Sequence, residues 1–333
     1  MFKPPRTKDF LLSLVIPVYN EAKSLQELCE RIQRVCQKEG YFYEIVFIDD
    51  GSLDNSRLQI ENLTKSFPIK AVFFSRNFGK EHAISAGLRW ALGDAVLLMD
   101  SDLQHPPELI PEFIQYWSEG FDNVYTVRES RKDQDFITSI SSSLFHKFFS
   151  KISEIEIPPN AGDFRLLDRK VVTVLNSLEE RQRYMKGLYA WAGFSSYALS
   201  YCPQQRDYGK TSFNLRKLGN LAASGVTSFS IWPLRLWVFV GCVVALSALF
   251  YGVFIFVETF IFGIITPGFP TLLISLLFLG GVQLISIGVV GEYVANIFNE
   301  VKRRPPYIIE STLGFENKND YREKREENYP VCG

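Results

Sequence analysis

Residues 96–111 read VLLMDSDLQHPPELIP, an apolar run that stops abruptly at acidic side chains. Asp100 and Asp102 end the run, and no Lys or Arg stands beside them. On an extended segment residues i and i+2 point the same way, so two such carboxylates repel unless a cation lies near them. Hard divalent cations take oxygen ligands, and Mg²⁺ usually binds one or two carboxylates plus substrate phosphates. The stretch therefore predicts a metal held by Asp100, Asp102 and the side-chain carbonyl of Gln104, whereas His105 fits a core or capping role at least as well.

The first half of the chain alternates short apolar runs with helical stretches. Apolar runs rich in β-branched residues predict strands, and continuous apolar strands alternating with helices indicate a parallel sheet covered on both faces. Right-handed crossovers make such a sheet doubly wound. The predicted strands are residues 13–19, 44–50, 70–75, 94–100 and 123–128, and the predicted helices are 24–38, 54–66, 80–92, 106–118 and 136–150.

Polar side chains follow the carboxyl ends of these strands, the edge at which open α/β sheets bind ligands. Any one of them is as easily a turn residue or a helix cap. Four such ends in register are harder to explain that way and favour a binding site. The first three ends carry Tyr19, Asn20 and Glu21, then Asp49 and Asp50, then Arg76, Asn77 and Lys80.

Several classes of protein are disfavoured by what the sequence lacks. PVYNE follows the first strand in place of the G-x-G-x-x-G turn that a dinucleotide dehydrogenase needs, and there is no P-loop. The formal net charge is −1, so no bulk basic character indicates a nucleic-acid partner. The five cysteines show no metal-ligand spacing and are expected to be reduced thiols.

Composition changes near residue 230, where the first of two long apolar runs begins. Residues 234–257 contain one charge, Arg235, and residues 270–291 contain none. A bilayer core needs about 20 apolar residues in a helix, so both runs are long enough to span it. The outer flanks are basic and the short connection has no Lys or Arg, so by the positive-inside rule both ends face the cytoplasm. We expect a two-helix transmembrane hairpin, about 234–257 and 270–293, in the inner (cytoplasmic) membrane.

These patterns set the expected domain boundaries. Apolar residues recur at roughly helical spacing before the first span, which indicates an interfacial helix on the inner leaflet, although a soluble amphipathic helix fits the same spacing. We expect a cytoplasmic α/β domain over residues 1–211, the interfacial helix over 212–231, both spans within 232–300, and a charged cytoplasmic tail over 301–333.

Four motifs, VIPVYNE, IDDGSLD, SRNFGKEHAISAGL and MDSDLQHPPE, resemble the successive motifs of family 2 glycosyltransferases, which have the GT-A fold. GDFRLLDR at 162–169, RDYGKTSF at 206–213 and GEYVANIFNEVKRRPPY at 291–307 extend the resemblance over nearly the whole chain. The set is similar to the polyisoprenyl-phosphate glycosyltransferases: dolichol-phosphate mannose synthases and, more closely, bacterial undecaprenyl-phosphate glucosyltransferases.

The resemblance implies a membrane enzyme that transfers a sugar, glucose in the closer group, from a UDP-sugar to the phosphate of a polyisoprenyl (undecaprenyl) lipid. It implies Mg²⁺ or Mn²⁺ as cofactor and a catalytic domain at the cytoplasmic face of the bilayer. Families with short hairpins often assemble, which leaves a homo-oligomer open. The lipid phosphate is already anionic near pH 7, so its direct attack predicts inversion and a β-linked product from an α-linked donor.

The resemblance also implies which residues bind the nucleotide sugar and the metal. The matching positions lie at or just after the ends of the first four strands. They are Pro17, Tyr19 and Glu21 for the nucleoside, Asp49 and Asp50 near the base and ribose, Lys80 beside the nucleotide sugar, Asp100 near the ribose and metal, and Asp102 and Gln104 as metal ligands.

On the acceptor side, Asp163 matches an acidic residue and is a candidate base or orienting group. Arg128 and Arg206 match cations near the lipid phosphate or the diphosphate, because a guanidinium pairs with phosphate bidentately. Arg131 and Lys210 are weaker candidates for the same work, and ordinary surface charge explains them at least as well. Asp102, Asp163 and the two arginines are thus the expected catalytic groups.

Three other functions share part of the pattern. A processive polysaccharide synthase has the early motifs, but it usually needs more spans and a Q-x-x-R-W segment, which EERQRYMKGL at 179–188 does not match. A nucleotidyltransferase uses carboxylates and metal but leaves the hairpin unexplained. A non-catalytic protein that binds or flips lipid-linked sugars explains only the membrane part. The sequence does not identify the sugar.

Overall fold

The computed structural model describes residues 10–128, residues 161–201 apart from 179 and 182, isolated positions between 237 and 261, and residues 268–315. These residues fall into two compact units, the first containing the sheet and the second a long apolar helix. The helix expected at 136–150 and the interfacial helix expected at 212–231 lie outside the described residues.

The centre of the sheet is parallel. Strand β1 pairs in parallel with β2 and with β4, and β2 pairs in parallel with β3. Most residues of these strands are buried and apolar, as expected for a doubly wound sheet with both faces covered. The four strands are β1 (Leu11–Val18), β2 (Phe42–Asp49), β3 (Ile69–Phe74) and β4 (Ala95–Leu98).

Four further strands extend the sheet on either side. The order is β7-β5-β6-β4-β1-β2-β3-β8. β6 is antiparallel to both β4 and β5, β7 is parallel to β5, and β8 is antiparallel to β3. These strands are β5 (Asn123–Arg128), β6 (Ala161–Asp168), β7 (Ser196–Tyr201) and β8 (Ile309–Leu313). The predicted mostly parallel α/β sheet is confirmed, with the five predicted strands present as β1 to β5.

Helices cover both faces of the sheet. On one face, Leu12, Leu14 and Ile16 of β1 join the core that includes helix α1. On the other face, Gly87 of α3 lies so close to Val15 that a Cβ there would overlap it. The helices of this unit are α1 (Leu25–Glu39), α2 (Ser56–Leu63), α3 (Lys80–Trp90), α4 (Ile110–Ser118), α5 (Arg169–Ser177) and α6 (Met185–Trp191). The first four confirm the predicted helices, with ends shifted by a few residues.

One local expectation is wrong: Asp100 and Asp102 do not lie on an extended segment. Strand β4 ends at Leu98, and the backbone bends over residues 101–103, with Leu103 at φ +61°. The Asp102 carboxylate accepts a hydrogen bond from the N–H of Gln104 at 3.2 Å, which stabilises this bend in place of a strand ladder. The two carboxylates are therefore set by a turn and not by the pleat of a strand.

Strand β8 lies in the region that the sequence assigns to a tail. Two residues of β8 contact Arg57 of α2, which helps to hold the strand against the sheet. Arg57 pairs with Glu310 at 3.2 Å and donates to the Ser311 hydroxyl at 3.0 Å. Just before the strand, the Tyr307 ring stacks on Phe74 with ring centroids 4.8 Å apart. The α/β unit therefore includes residues that follow the apolar helix.

The second unit contains helix α7 (Phe269–Val301). Within the described part of the chain, only residues Phe278–Val301 form a helix long and apolar enough to cross a bilayer. α7 contains the predicted span at 270–293 and continues eight residues beyond it. The described positions between 237 and 261 are helical, but they are isolated positions and not a continuous stretch. The first predicted span therefore stays a prediction.

Candidate active site

The centre of the site is a lysine shared by two carboxylates. Lys80 is the first residue of α3, and its Nζ lies 2.6 Å from Asp100 Oδ1 and 2.9 Å from Asp163 Oδ2. Asp100 follows β4, and Asp163 lies on β6, the antiparallel neighbour of β4. Burial disfavours charge on Lys80, but the two carboxylates outweigh it and raise its pKa above the usual range. The N-terminus of α3 thus supplies a cation that the sequence around Asp100 lacks.

Asp50 fixes the start of α3 and thereby the position of Lys80. Its two carboxylate oxygens accept hydrogen bonds from the N–H groups of Phe78, at 2.7 Å, and Gly79, at 2.9 Å. Gly79 has φ +104°, a conformation that favours glycine. The Phe78 ring packs edge-on against Phe74 of β3. The predicted nucleotide-binding residue Asp50 is therefore buried and engaged with backbone.

A second lysine contacts Asp163. Lys186 of α6 has its Nζ 3.6 Å from Asp163 Oδ1 and donates to the Ala161 carbonyl at 2.9 Å. Burial alone would raise the pKa of Asp163, but Lys80 and Lys186 together hold it far below the usual range. A carboxylate so strongly stabilised as an anion is a poor proton acceptor near neutral pH.

Glu81 connects α3 to α6. It follows Lys80 directly, and its Oε2 accepts a hydrogen bond at 3.0 Å from the N–H of Met185, the first residue of α6. Burial, with a contribution from the nearby Asp163, raises the pKa of Glu81 to about 7 in spite of that hydrogen bond. A carboxyl group with a pKa near neutral therefore lies next to Lys80 in the chain and contacts the backbone one residue before Lys186.

His105 is a packing residue. Its side chain is buried, its ring stacks on Phe164 with an interplanar angle of 8°, and its Nδ1 accepts a hydrogen bond from the Asp100 N–H at 2.9 Å. Because Nδ1 is the acceptor, the neutral ring carries its proton on Nε2. Burial lowers the pKa of His105, although Asp100 opposes that shift. His105 therefore holds the turn after β4 in position, in line with the core role considered from the sequence.

At the end of β1, the loop is tied to the loop after β2. Asn20, at φ +57°, donates its N–H to the Ser52 hydroxyl at 2.9 Å and accepts from the Leu53 N–H at 2.8 Å. Beside them the Tyr19 side chain is 44% exposed. Asp49 is buried, and one of its carboxylate oxygens, Oδ1, has no hydrogen-bond partner among the described residues.

The structure brings most of the predicted site residues to this edge of the sheet. Pro17 and Tyr19 lie at the end of β1, Asp49 ends β2, and Arg128 ends β5. Glu21 follows β1, and its N–H donates to the Ser56 hydroxyl at 3.0 Å. Arg131, Arg206 and Lys210 lie outside the described residues.

Sequence reasoning did not single out Glu81 or Lys186. Glu81 lies within the third motif, next to Lys80, so the motif offered a signal for it. Lys186 lies in no motif and 23 residues after Asp163, and only the fold brings the two together.

Comparisons with known proteins show the family to which the chain belongs. Residues 13–175 match the family model described as glycosyl transferase family 2. An uncharacterized glycosyltransferase from Synechocystis sp. is 44% identical over 92% of this chain and 96% of its own length.

Two similar proteins carry more specific names. The prophage bactoprenol glucosyl transferase homolog of Escherichia coli is 43% identical over 90% of this chain and 98% of its own length. The SfII prophage-derived bactoprenol glucosyl transferase of Shigella flexneri has the same identity and coverage. The chain therefore belongs to glycosyl transferase family 2, in the group that contains these relatives.

Proposed function

We propose that this protein transfers glucose from UDP-glucose to the phosphate of a polyisoprenyl lipid of the undecaprenyl type, with inversion at the anomeric carbon. One observation carries the proposal: relatives named bactoprenol glucosyl transferase are 43% identical over 90% of this chain and 98% of their own length. Coverage of 90% of the chain includes the greater part of the apolar helix as well as the sheet, which supports a lipid acceptor.

On the donor side, the ends of β1 and β2 are the proposed nucleoside site. The exposed Tyr19 ring and the loop tied by Asn20 and Ser52 offer a surface for the base. The unpartnered Asp49 oxygen offers an acceptor for a nucleoside donor group. Pro17 and Glu21 are the other proposed nucleoside-binding residues. Asp50, in contrast, acts by holding the backbone before Lys80.

A divalent metal, Mg²⁺ or Mn²⁺, belongs to the proposal. Asp100 and Asp102 offer carboxylate oxygens and Gln104 a carbonyl oxygen, all hard donors. In the ranges that the structure describes, no group of three or more His, Cys, Asp or Glu side chains could hold a metal, so substrate phosphates would have to supply further ligands. When bound, it would supply a Lewis acid that neutralises the departing diphosphate.

In the transfer step, an oxygen of the lipid phosphate attacks the anomeric carbon, and the bond from that carbon to the UDP oxygen breaks. The acceptor is already an anion near pH 7, so a strong base is not required. The two lysines around Asp163 support an orienting role for that carboxylate in place of proton abstraction. Arg128, Arg206, Arg131 and Lys210 are the proposed partners of the acceptor phosphate or diphosphate.

The membrane arrangement is also proposed. Two spans, about 234–257 and 270–293, an interfacial helix over 212–231 and cytoplasmic termini would hold the site at the leaflet where the lipid phosphate lies. The exposed apolar surface of α7 supports the second span. We also propose that the protein assembles into a homo-oligomer, as families with short transmembrane hairpins often do.

The test is a transfer assay with the full chain purified in detergent. It combines undecaprenyl phosphate, Mg²⁺ or Mn²⁺, and a panel of radiolabelled UDP-sugars, and follows label into the organic phase. One labelled lipid formed from UDP-glucose, absent in Asp102→Ala and after chelation, supports the proposal. Label in a water-soluble polymer would point to a polysaccharide synthase. No lipid product with any donor would refute the lipid acceptor.

A further inference from the structure

Asp163 is held from two sides by lysines that come from different elements. Lys80 of α3 contacts Oδ2 at 2.9 Å, and Lys186 of α6 lies 3.6 Å from Oδ1. Lys186 is also anchored by its hydrogen bond to the Ala161 carbonyl, two residues before Asp163 on the same strand. With one cation at each oxygen, rotation of the carboxylate weakens at least one ion pair.

The position of Lys186 depends on α3 as well. Glu81 accepts the hydrogen bond from the Met185 N–H, one residue before Lys186, while its neighbour Lys80 contacts Asp163. Beyond Lys186, the Arg165 guanidinium lies 3.8 Å over the Tyr189 ring and donates to the Gly162 carbonyl at 2.8 Å, which packs α6 against β6. Helix α6 therefore contacts both α3, which carries Lys80, and β6, which carries Asp163.

We propose that Lys186 is a positioning residue, set in place by Glu81, that fixes the Asp163 carboxylate beside the incoming acceptor. This inference rests on the proposed transfer to a lipid phosphate. Lys186 acts through Asp163 and contributes nothing to donor binding. Among the described residues, its loss leaves Lys80 as the remaining ion-pair partner of Asp163, so the carboxylate is expected to turn toward Lys80 and away from the acceptor.

The geometry predicts a specific kinetic change. Loss of one partner of a partly buried ion pair, here Lys186 and Asp163 at 3.6 Å, is expected to change a rate by about 10- to 100-fold. Lys186→Met should lower kcat by about that factor and leave both KM values near those of the wild type. Lys186→Arg keeps a cation within reach of Asp163 and should restore most of kcat. Glu81→Leu removes the acceptor for Met185 and should lower kcat in the same direction, with Glu81→Gln affected less.

The experiment measures kcat and both KM values for these variants in the detergent assay, with thermal unfolding to check that each is folded. Lys170→Met is the matched control, because Lys170 pairs with a buried carboxylate, Asp122, at 2.7 Å but lies outside the site. Loss of this pair can lower the stability, but kcat and both KM values of the folded Lys170→Met variant should match those of the wild type.

Three results would overturn the inference. One is an unchanged kcat in a folded Lys186→Met variant. Another is a rise in the KM for UDP-glucose or for the lipid with kcat unchanged, which would make Lys186 a substrate ligand. The third is a failure of Lys186→Arg to improve on Lys186→Met. A wild type that forms no lipid product would refute the proposed function, and this inference with it, before any variant is compared.

Discussion

The ammonium group of Lys80 lies 2.9 Å from Asp163 Oδ2, although 83 residues separate the two in the chain. The same nitrogen contacts Asp100, 20 residues away. One cation therefore connects the turn after β4 with strand β6. Without it, two partly buried carboxylates would face each other across a short gap, and their repulsion would open the site.

Replacement of Lys80 by Met should test this role directly. Methionine fills a similar volume but leaves Asp100 and Asp163 without their shared cation. We expect kcat/KM to fall by about 100-fold, because contacts to charged groups contribute more than neutral ones. The measurement is the lipid-transfer assay, with Lys80→Arg as the charge-retaining control. Equal activity of Lys80→Met and wild type would show that the bridge has no part in catalysis.

Asp50→Asn should affect the fold as well as the activity. The carboxylate accepts two backbone hydrogen bonds, whereas the amide offers one oxygen and turns an NH₂ group toward the second N–H. We expect a loss of about 1–3 kcal/mol of unfolding free energy, seen as a lower Tm. Glu61→Gln, on the exposed surface of α2, is the control and should leave Tm unchanged. A wild-type Tm for Asp50→Asn would contradict the proposed role of Asp50.

Much of the fold could be predicted from the sequence, because strands β1 to β5 are apolar runs with helices between them. Strand β6 could not, since Asp163 and Arg165 interrupt its apolar pattern. Arg165 is nevertheless buried, over the ring of Tyr189. Strand β8 has only Ile309 and Leu313 as apolar residues, and its pairing with β3 depends on contacts with distant residues such as Arg57.

The site was predicted less completely than the fold. The motifs identified the carboxylates at the strand ends but not the cations that pair with them. Such pairs join residues that are far apart in the sequence, so only the fold shows which side chains meet. Lys186 lies outside every motif, and the bend after β4 includes Leu103 in the left-handed region, a conformation that leucine rarely adopts. A local sequence pattern gives little warning of either feature.

Glu81 should make the stability of the protein depend on pH. Burial raises its pKa from 4.5 to about 7, so between these values the folded state binds more protons than the unfolded state. Stability from this group is therefore complete below about pH 4.5 and is lost as pH rises through about 7. Relative to Glu81→Gln, wild-type Tm should fall between pH 5 and 8, by the equivalent of about 1–3 kcal/mol. A constant difference in Tm over that range would show that Glu81 is already ionised at pH 5.

Asp102 allows the turn and the metal to be tested separately. Its Oδ1 accepts the Gln104 N–H, and an asparagine keeps an oxygen for that hydrogen bond while removing the charge. Asp102→Asn should therefore keep a wild-type Tm but lose activity by more than about 100-fold at fixed Mg²⁺ or Mn²⁺, since a neutral amide is a weaker ligand for a hard cation. Asp102→Ala should lose the same activity and also some stability, because the turn loses its acceptor. Activity measured against metal concentration provides the second readout: a charge-deficient site should need more metal. If Asp102→Asn instead matched the wild type in both rate and metal requirement, Asp102 would be a turn residue only, and the metal would have to be held by Asp100 and the substrate.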